Sequence, residues 1–132
     1  MYNVDALAAL PSNSVVYLVE GLTDTLTLIT HNFAAVGLVG AAGLKPEWVP
    51  QLSRFRVVLA LDNDRAGREA ADAYEELFAA RGARCFARLH LPTDVNDFFR
   101  QRATAALEFS LMTEAAVEES RRRGGRNAPQ QL

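Results

Sequence analysis

The chain has little of what several common protein classes require. Cys85 is its one cysteine, so no internal disulfide can form. Its two histidines, His31 and His90, are isolated, and a structural zinc site has no ligand set to draw on. Cysteine this sparse fits a reducing, cytoplasmic setting. No apolar run approaches the roughly 20 residues of a membrane span. The N-terminus has no basic start leading into an apolar stretch, so neither a membrane partner nor a signal peptide is expected. The formal net charge is −2, which removes any global basic signature of nucleic-acid binding and leaves only a local basic rim. Gly37, Gly40 and Gly43 lack the Gly-Lys-Ser/Thr of a P-loop, so no ATPase is implied. An ordinary tight turn accounts for them; a phosphate-cradling loop is the alternative.

What is present is enough for one domain. The length is 132 residues and 49% of them are hydrophobic, sufficient for a core. Residues 1–13 form a lead-in that ends in the breaker cluster around Pro11, Ser12 and Asn13. Val15 to Val19, Ala34 to Val39, Val57 to Leu61 and Arg84 to Leu89 read as buried strands. Thr23 to about Asn32 reads as a helix with Thr23 as N-cap. Pro46 to Leu52 reads as a short helix with proline in its first turn. Ala66 to Arg81 is the clearest helix, with Ala66, Ala70, Ala73, Tyr74, Leu77 and Phe78 on one side and Gly82 as its stop. Val95 to Arg102 and Ala103 to Arg122 read as two more. Residues 123–132, within the run that starts Arg121-Arg122-Arg123-Gly124-Gly125-Arg126, read as a flexible tail. Strands alternating with helices imply a parallel sheet with helices on both faces.

In such sheets ligands bind at the C-terminal ends of the strands. The acidic residues fall there. Glu20 ends the first strand, Asp62 and Asp64 follow the third, and Asp94 and Asp97 follow the fourth. Carboxylates at the tips of buried strands are costly unless something positive binds them. Magnesium takes oxygen ligands, keeps several waters and accepts substrate phosphates as further ligands; manganese favours the same donors. Asp62 and Asp64, two residues apart at a strand-to-turn junction, can reach one ion. Asp94 can approach from the next crossover, and Glu20 can complete the site or act as general acid or base.

These residues carry a family resemblance over about residues 14–102. Val19-Glu20-Gly21-Leu22-Thr23-Asp24 resembles the first motif of Toprim domains. Leu61-Asp62-Asn63-Asp64-Arg65-Ala66-Gly67 resembles the second, Asp-x-Asp followed by an Ala-Gly helix start. Asp94-Val95-Asn96-Asp97 resembles the acidic patch of primases, and the following Phe98 and Phe99 strengthen the likeness to the DNA primase type. The resemblance implies an α/β, Rossmann-like fold with a central, mostly parallel four-stranded sheet flanked by helices. It also implies Glu20 as the catalytic general acid/base. Asp62 and Asp64 would be magnesium ligands, with Asp94 assisting and Asp24 as a further site acid. Many bacterial primases carry a second acid where this chain has Asn96; Asp97 is the candidate substitute.

The activity so implied is nucleotidyl transfer in RNA primer synthesis. Its partners would be a single-stranded DNA template, nucleoside triphosphates, and a helicase or other domains of a parent protein. Full primases carry a zinc module and a separate N-terminal subdomain, so an excised domain of a longer phage, plasmid or bacterial protein is expected. A Toprim nuclease and a non-catalytic module like the recombination mediators are the rival readings.

The remaining features have local explanations beside functional ones. Arg65 and Arg68 either neutralise substrate phosphates or pair with Glu69 or Asp72 along the helix. Lys45 and Arg54 are surface cations and candidate backbone contacts. Trp48 reads as a packing anchor and Cys85 as a small buried hydrophobe. The arginines from Arg121 complement a helix end or contact nucleic acid.

Overall fold

Successive side chains of a strand point to opposite faces, and here both faces of the central strand are covered. The structure, a computed structural model, describes residues 1–38, 43–83 and 85–127, with side chains as far as Arg123. β1 (Val15–Glu20) lies between β2 (Ala35–Leu38) and β3 (Arg56–Leu59), and β4 (Ala87–Arg88) joins beyond β3. All three pairings are parallel, so the sheet is parallel throughout rather than mostly so. The register sets Glu20 opposite Leu38 and Leu18 opposite Leu59.

Val16 and Leu18 face one core. There they meet Leu7, Val49 and Leu52, together with Ala71 and Phe78 of the helix Arg65–Ala80 (α3). Leu7 belongs to a 3-10 helix, Val4–Ala9, in the segment read as a lead-in. Tyr17 and Val19 face the second core. They meet Leu28 of α1 (Leu22–Thr30), Phe98 and Phe99 of α4 (Val95–Gln101), and Phe109 of α5 (Ala105–Asn127). Phe109 is fully buried, and its ring lies 4.9 Å from Tyr17 and 5.1 Å from Phe33. Tyr17 donates its hydroxyl to Thr113, 2.8 Å away, because the Thr113 hydroxyl is itself committed to the Phe109 carbonyl.

Several boundaries differ from those read in the sequence. α1 starts at Leu22, with Gly21 at its N-cap in place of Thr23. Gly21 has φ +81°, a conformation that glycine adopts without steric cost. The Pro46 helix is a 3-10 turn (Pro46–Trp48) running into a short α2 (Val49–Leu52). The fourth strand is two residues long, because only β3 lies beside it. α5 does not stop at Arg122 but runs to Asn127. Arg121 and Arg122 each pair with Glu118 at 3.5 Å, three and four residues back, which supports a helix through the arginines. Val39, Gly40, Arg84 and the last tail residues, 128–132, lie outside the described residues.

Phe109→Ala should cost about 3–5 kcal/mol in urea unfolding, the usual range for emptying a buried aromatic site. Tyr17→Phe should cost about 1 kcal/mol, since one neutral hydrogen bond is lost.

Candidate functional site

The strand order places a topological switch between β1 and β3. The chain leaves β1 toward β2 on one side and returns to β3 on the other. Such a point opens a crevice at the C-terminal strand ends, and the acids line it. Glu20 is the last residue of β1, half-buried. Its Oε1 accepts from the backbone N–H of Asp62, 3.3 Å away. The two strand ends are thereby joined through a carboxylate.

The turn after β3 is shaped by Gly67. A Cβ there would overlap the Asp62 carbonyl, so only glycine lets the first turn of α3 pack against that loop. This is the physical reason for an Ala-Gly helix start after an Asp-x-Asp. Asp64 is the N-cap of α3, and its Oδ1 accepts from Gly67 N–H at 2.7 Å. Asp94 is the N-cap of α4 in the same way, accepting from Asp97 N–H at 2.7 Å. Each cap uses one carboxylate oxygen and leaves the other uncommitted to the cap. Asp24, in the first turn of α1, is buried, and its Oδ1 accepts from Asn96 N–H at 3.0 Å.

The charges of these acids act on one another. Burial pushes the Asp24 carboxyl up to about 6; the Asn96 N–H opposes this, and the charges of Asp94, Asp62 and Glu20 add to it. Asp62 is raised as well, by burial first and then by Glu20, Asp64 and Asp94. Glu20, Asp24, Asp62, Asp64 and Asp94 thus share one rim.

The other expected site residues have partners of their own or line its edge. Asp97 pairs with Arg100 at 3.3 Å. Arg65 is largely exposed and pairs with Glu69 at 3.0 Å. Lys45 lies over the Trp48 ring, 5.3 Å from its centre, and Trp48 packs on the first core as expected. Arg54 is structural: it donates to the carbonyls of Leu7 and Leu10. Arg68 pairs with neither Glu69 nor Asp72; it donates to the Asn63 carbonyl, 3.2 Å away, and lines a cleft with Asp62. The partner of Asp72 is Arg88, at 2.8 Å. Asn96 accepts from the Thr27 hydroxyl at 2.9 Å, so its side chain holds α4 to α1. Cys85 is half-buried and its thiol is pushed up to about 12, chiefly by burial. Tyr74 was expected only as part of the helix core face. Its hydroxyl meets the Leu44 backbone and feels the charge of Glu20, and burial raises it. Its place on the apolar side of α3 gave no sign of that.

Among the described residues, no group of three or more acid, histidine or cysteine side chains is arranged to hold an ion. The donor chemistry still fits a hard cation. Every donor is an oxygen, the repulsion among them is what a cation relieves, and magnesium commonly takes one or two carboxylates and completes its shell with phosphates and water.

The fold agrees with comparison to known proteins. A family model described as Toprim-like matches residues 17–99, more than half of the chain. The chain belongs to the Toprim-like family. No curated protein matches it. Among solved structures, the zinc-binding and RNA-polymerase domains of the Aquifex aeolicus primase share the fold with a TM-score of 0.68 and 25% identity. That match covers 78% of this chain and 26% of the primase chain. The chain thus corresponds to about a quarter of that structure, and it is a Toprim domain of the DNA primase type. No described helix is long and apolar enough to cross a membrane.

The raised Asp24 carboxyl has a signed consequence. A carboxyl raised from 3.8 to about 6 stabilises the fold while protonated, and that stability is lost as pH rises from about 4 through 6. Asp24→Asn keeps an acceptor for Asn96 N–H and carries no charge. In metal-free buffer it should stabilise the Toprim domain by about 1–3 kcal/mol at pH 7.5 and by almost nothing at pH 3.5. Thermal melts of both proteins across that range check it.

Proposed function

We propose that this Toprim domain binds magnesium at the switch-point rim and supports nucleotidyl transfer, the chemistry of RNA primer synthesis on single-stranded DNA. The observation that carries this reading is the convergence of carboxylates from separate segments on the switch-point strand ends, where Glu20 already reaches Asp62 N–H and where burial first, and the neighbouring acids second, raise Asp24 and Asp62. A cation held there turns that cost into binding energy. The likeness to a primase structure favours primer synthesis over a Toprim nuclease or a recombination-mediator-like module.

Asp62 and the uncapped oxygen of Asp64 would hold the ion, with Asp94 assisting. When bound, magnesium supplies charge stabilisation at the reacting phosphate. Asp62 N–H fixes one oxygen of Glu20, and the other is left to take a proton. The attacking 3′-hydroxyl oxygen forms a bond to the α-phosphorus of the incoming nucleoside triphosphate. The bond from that phosphorus to its bridging oxygen breaks, pyrophosphate leaves, and the hydroxyl proton passes to Glu20. Asp24, neutral at lower pH and bonded to Asn96 N–H, ties α1 to α4 beneath the rim.

Template and primer need surfaces beyond a chain that matches 26% of the primase structure. Alone, the domain should therefore bind the ion without synthesising primers.

Calorimetry with Mn2+ should show binding by the wild type, with or without added nucleoside triphosphate, and loss of it in Asp62→Asn/Asp64→Asn. Asparagine caps a helix about as well as aspartate, so this variant keeps α3 and removes only charge. No binding by the wild type in either condition would overturn the metal reading. Robust primer synthesis by this chain alone would overturn the expectation that it needs other domains. Mg2+-dependent DNA cleavage without nucleotides would move the assignment to a nuclease.

A further inference from the structure

We propose that the groove between β4 and α5 carries the phosphate backbone of single-stranded DNA to the acidic rim, held by Arg68, His90 and Arg123. This rests on the nucleic-acid reading above and adds the track that the strand follows.

Continuity is the first argument. A small cleft beside Asp62 and Asn63 is lined by Arg68, Arg88 and His90. Arg88 and His90 also line a larger groove of about 320 Å³, which runs along α5 past Met112 and Ala116 to Arg123. The two hollows share Arg88, Leu89 and His90, so the groove adjoins the cleft beside the rim. From Met112 to Arg123 the helix rises about 16 Å, enough for a few nucleotides.

Charge is the second argument. The rim acids repel phosphate, so an approaching strand needs cations and N–H donors just outside them. The Arg68 side chain is exposed, and its guanidinium is bonded only to Asn63 among the described residues. His90 and Arg123 are exposed, and neither has an ion-pair partner among the described residues. Arg88 differs. Its guanidinium is held by Asp72 and Glu75, so it shapes the wall and does not grip. Glu119 opposes binding. By contrast, the groove between α1 and α4 has one arginine, Arg100, already engaged by Asp97.

The floor is the third. Met112 and Ala116 are apolar, and no phenylalanine, tyrosine or tryptophan lines the groove, so it offers no row of rings for successive bases to stack on. Binding there is electrostatic, tolerant of sequence and steeply dependent on salt.

Fluorescence anisotropy with a labelled oligo-dT 12-mer, in EDTA, at 50 and 200 mM salt, tests this apart from the metal. Arg123→Glu and His90→Glu should each weaken binding about five- to tenfold, and Arg123→Glu, which removes a cation, should lower the salt slope by about 1. Glu119→Gln should tighten binding about two- to threefold, a gain that misfolding cannot produce. Arg81→Glu, at the far end of α3 and so on the opposite rim, should leave binding unchanged. Unchanged affinity in both charge reversals, or no binding by the wild type at 50 mM salt, overturns the groove. If Mn2+ binding then persists, the groove alone has failed. If Mn2+ binding is absent while the reversals still weaken DNA binding, the groove stands and the metal reading falls.

Discussion

The burial of β1 on both faces is the constraint on which the rest of the molecule depends. Val16 and Leu18 feed one core, Tyr17 and Val19 the other, and all four are almost wholly inaccessible. A one-residue slip would exchange the two sets. That fixes the register with β2 and β3, and with it the height at which Glu20 emerges. From there the geometry propagates. Glu20 reaches Asp62 N–H, the β3–α3 turn is drawn toward β1, and α3 starts against the Asp62 carbonyl where Gly67 leaves room.

The same carboxylates serve two ends. Asp64 and Asp94 are helix caps, each with an oxygen committed to a backbone N–H. Capping of this kind contributes about 1 kcal/mol, enough to explain an aspartate without any ligand. Capping does not explain Asp62, which is raised by burial and then by its acidic neighbours, or buried Asp24, whose ionised form is a cost at neutral pH. Those two are the residues that a purely structural account leaves unexplained. The pull of the helix N-termini toward acids and the pull of a cation toward acids select the same residue type at the same places.

Much of this was legible in the sequence. The long helix at Ala66 has a wide apolar stripe and a glycine stop, and it is displaced by a single residue at each end. The strands at Val15 and Val57 are apolar because both faces are covered. Asp-x-Asp with Ala-Gly, read from its place at a strand end and its resemblance to the second Toprim motif, matches the turn that forms, with Asp64 as cap and Gly67 packed against the Asp62 carbonyl. What failed was set by contacts distant in sequence or by competition on a helix surface. Asp97 and Arg65 sit in the right motifs, but partners one turn away, Arg100 and Glu69, claim them. Asn96 stands where many bacterial primases carry a second acid, and only the approach of α4 to α1 hands its oxygen to Thr27. The 3-10 helix at Val4 was hidden because its single buried residue, Leu7, leaves no periodic signal.

The opening residues also settle how the sheet ends. Within β2, Gly37 turns its N–H and carbonyl away from β1, and both are taken by Tyr2 in an antiparallel bridge at 3.0 and 2.7 Å. At the other margin, β4 is only two residues long. An uncovered strand edge is a template for a strand from another molecule. Here one edge is already occupied by the chain's own N-terminus, and the other is too short to propagate a ladder. Little of either margin of the sheet is therefore left on which a strand from another copy could pair.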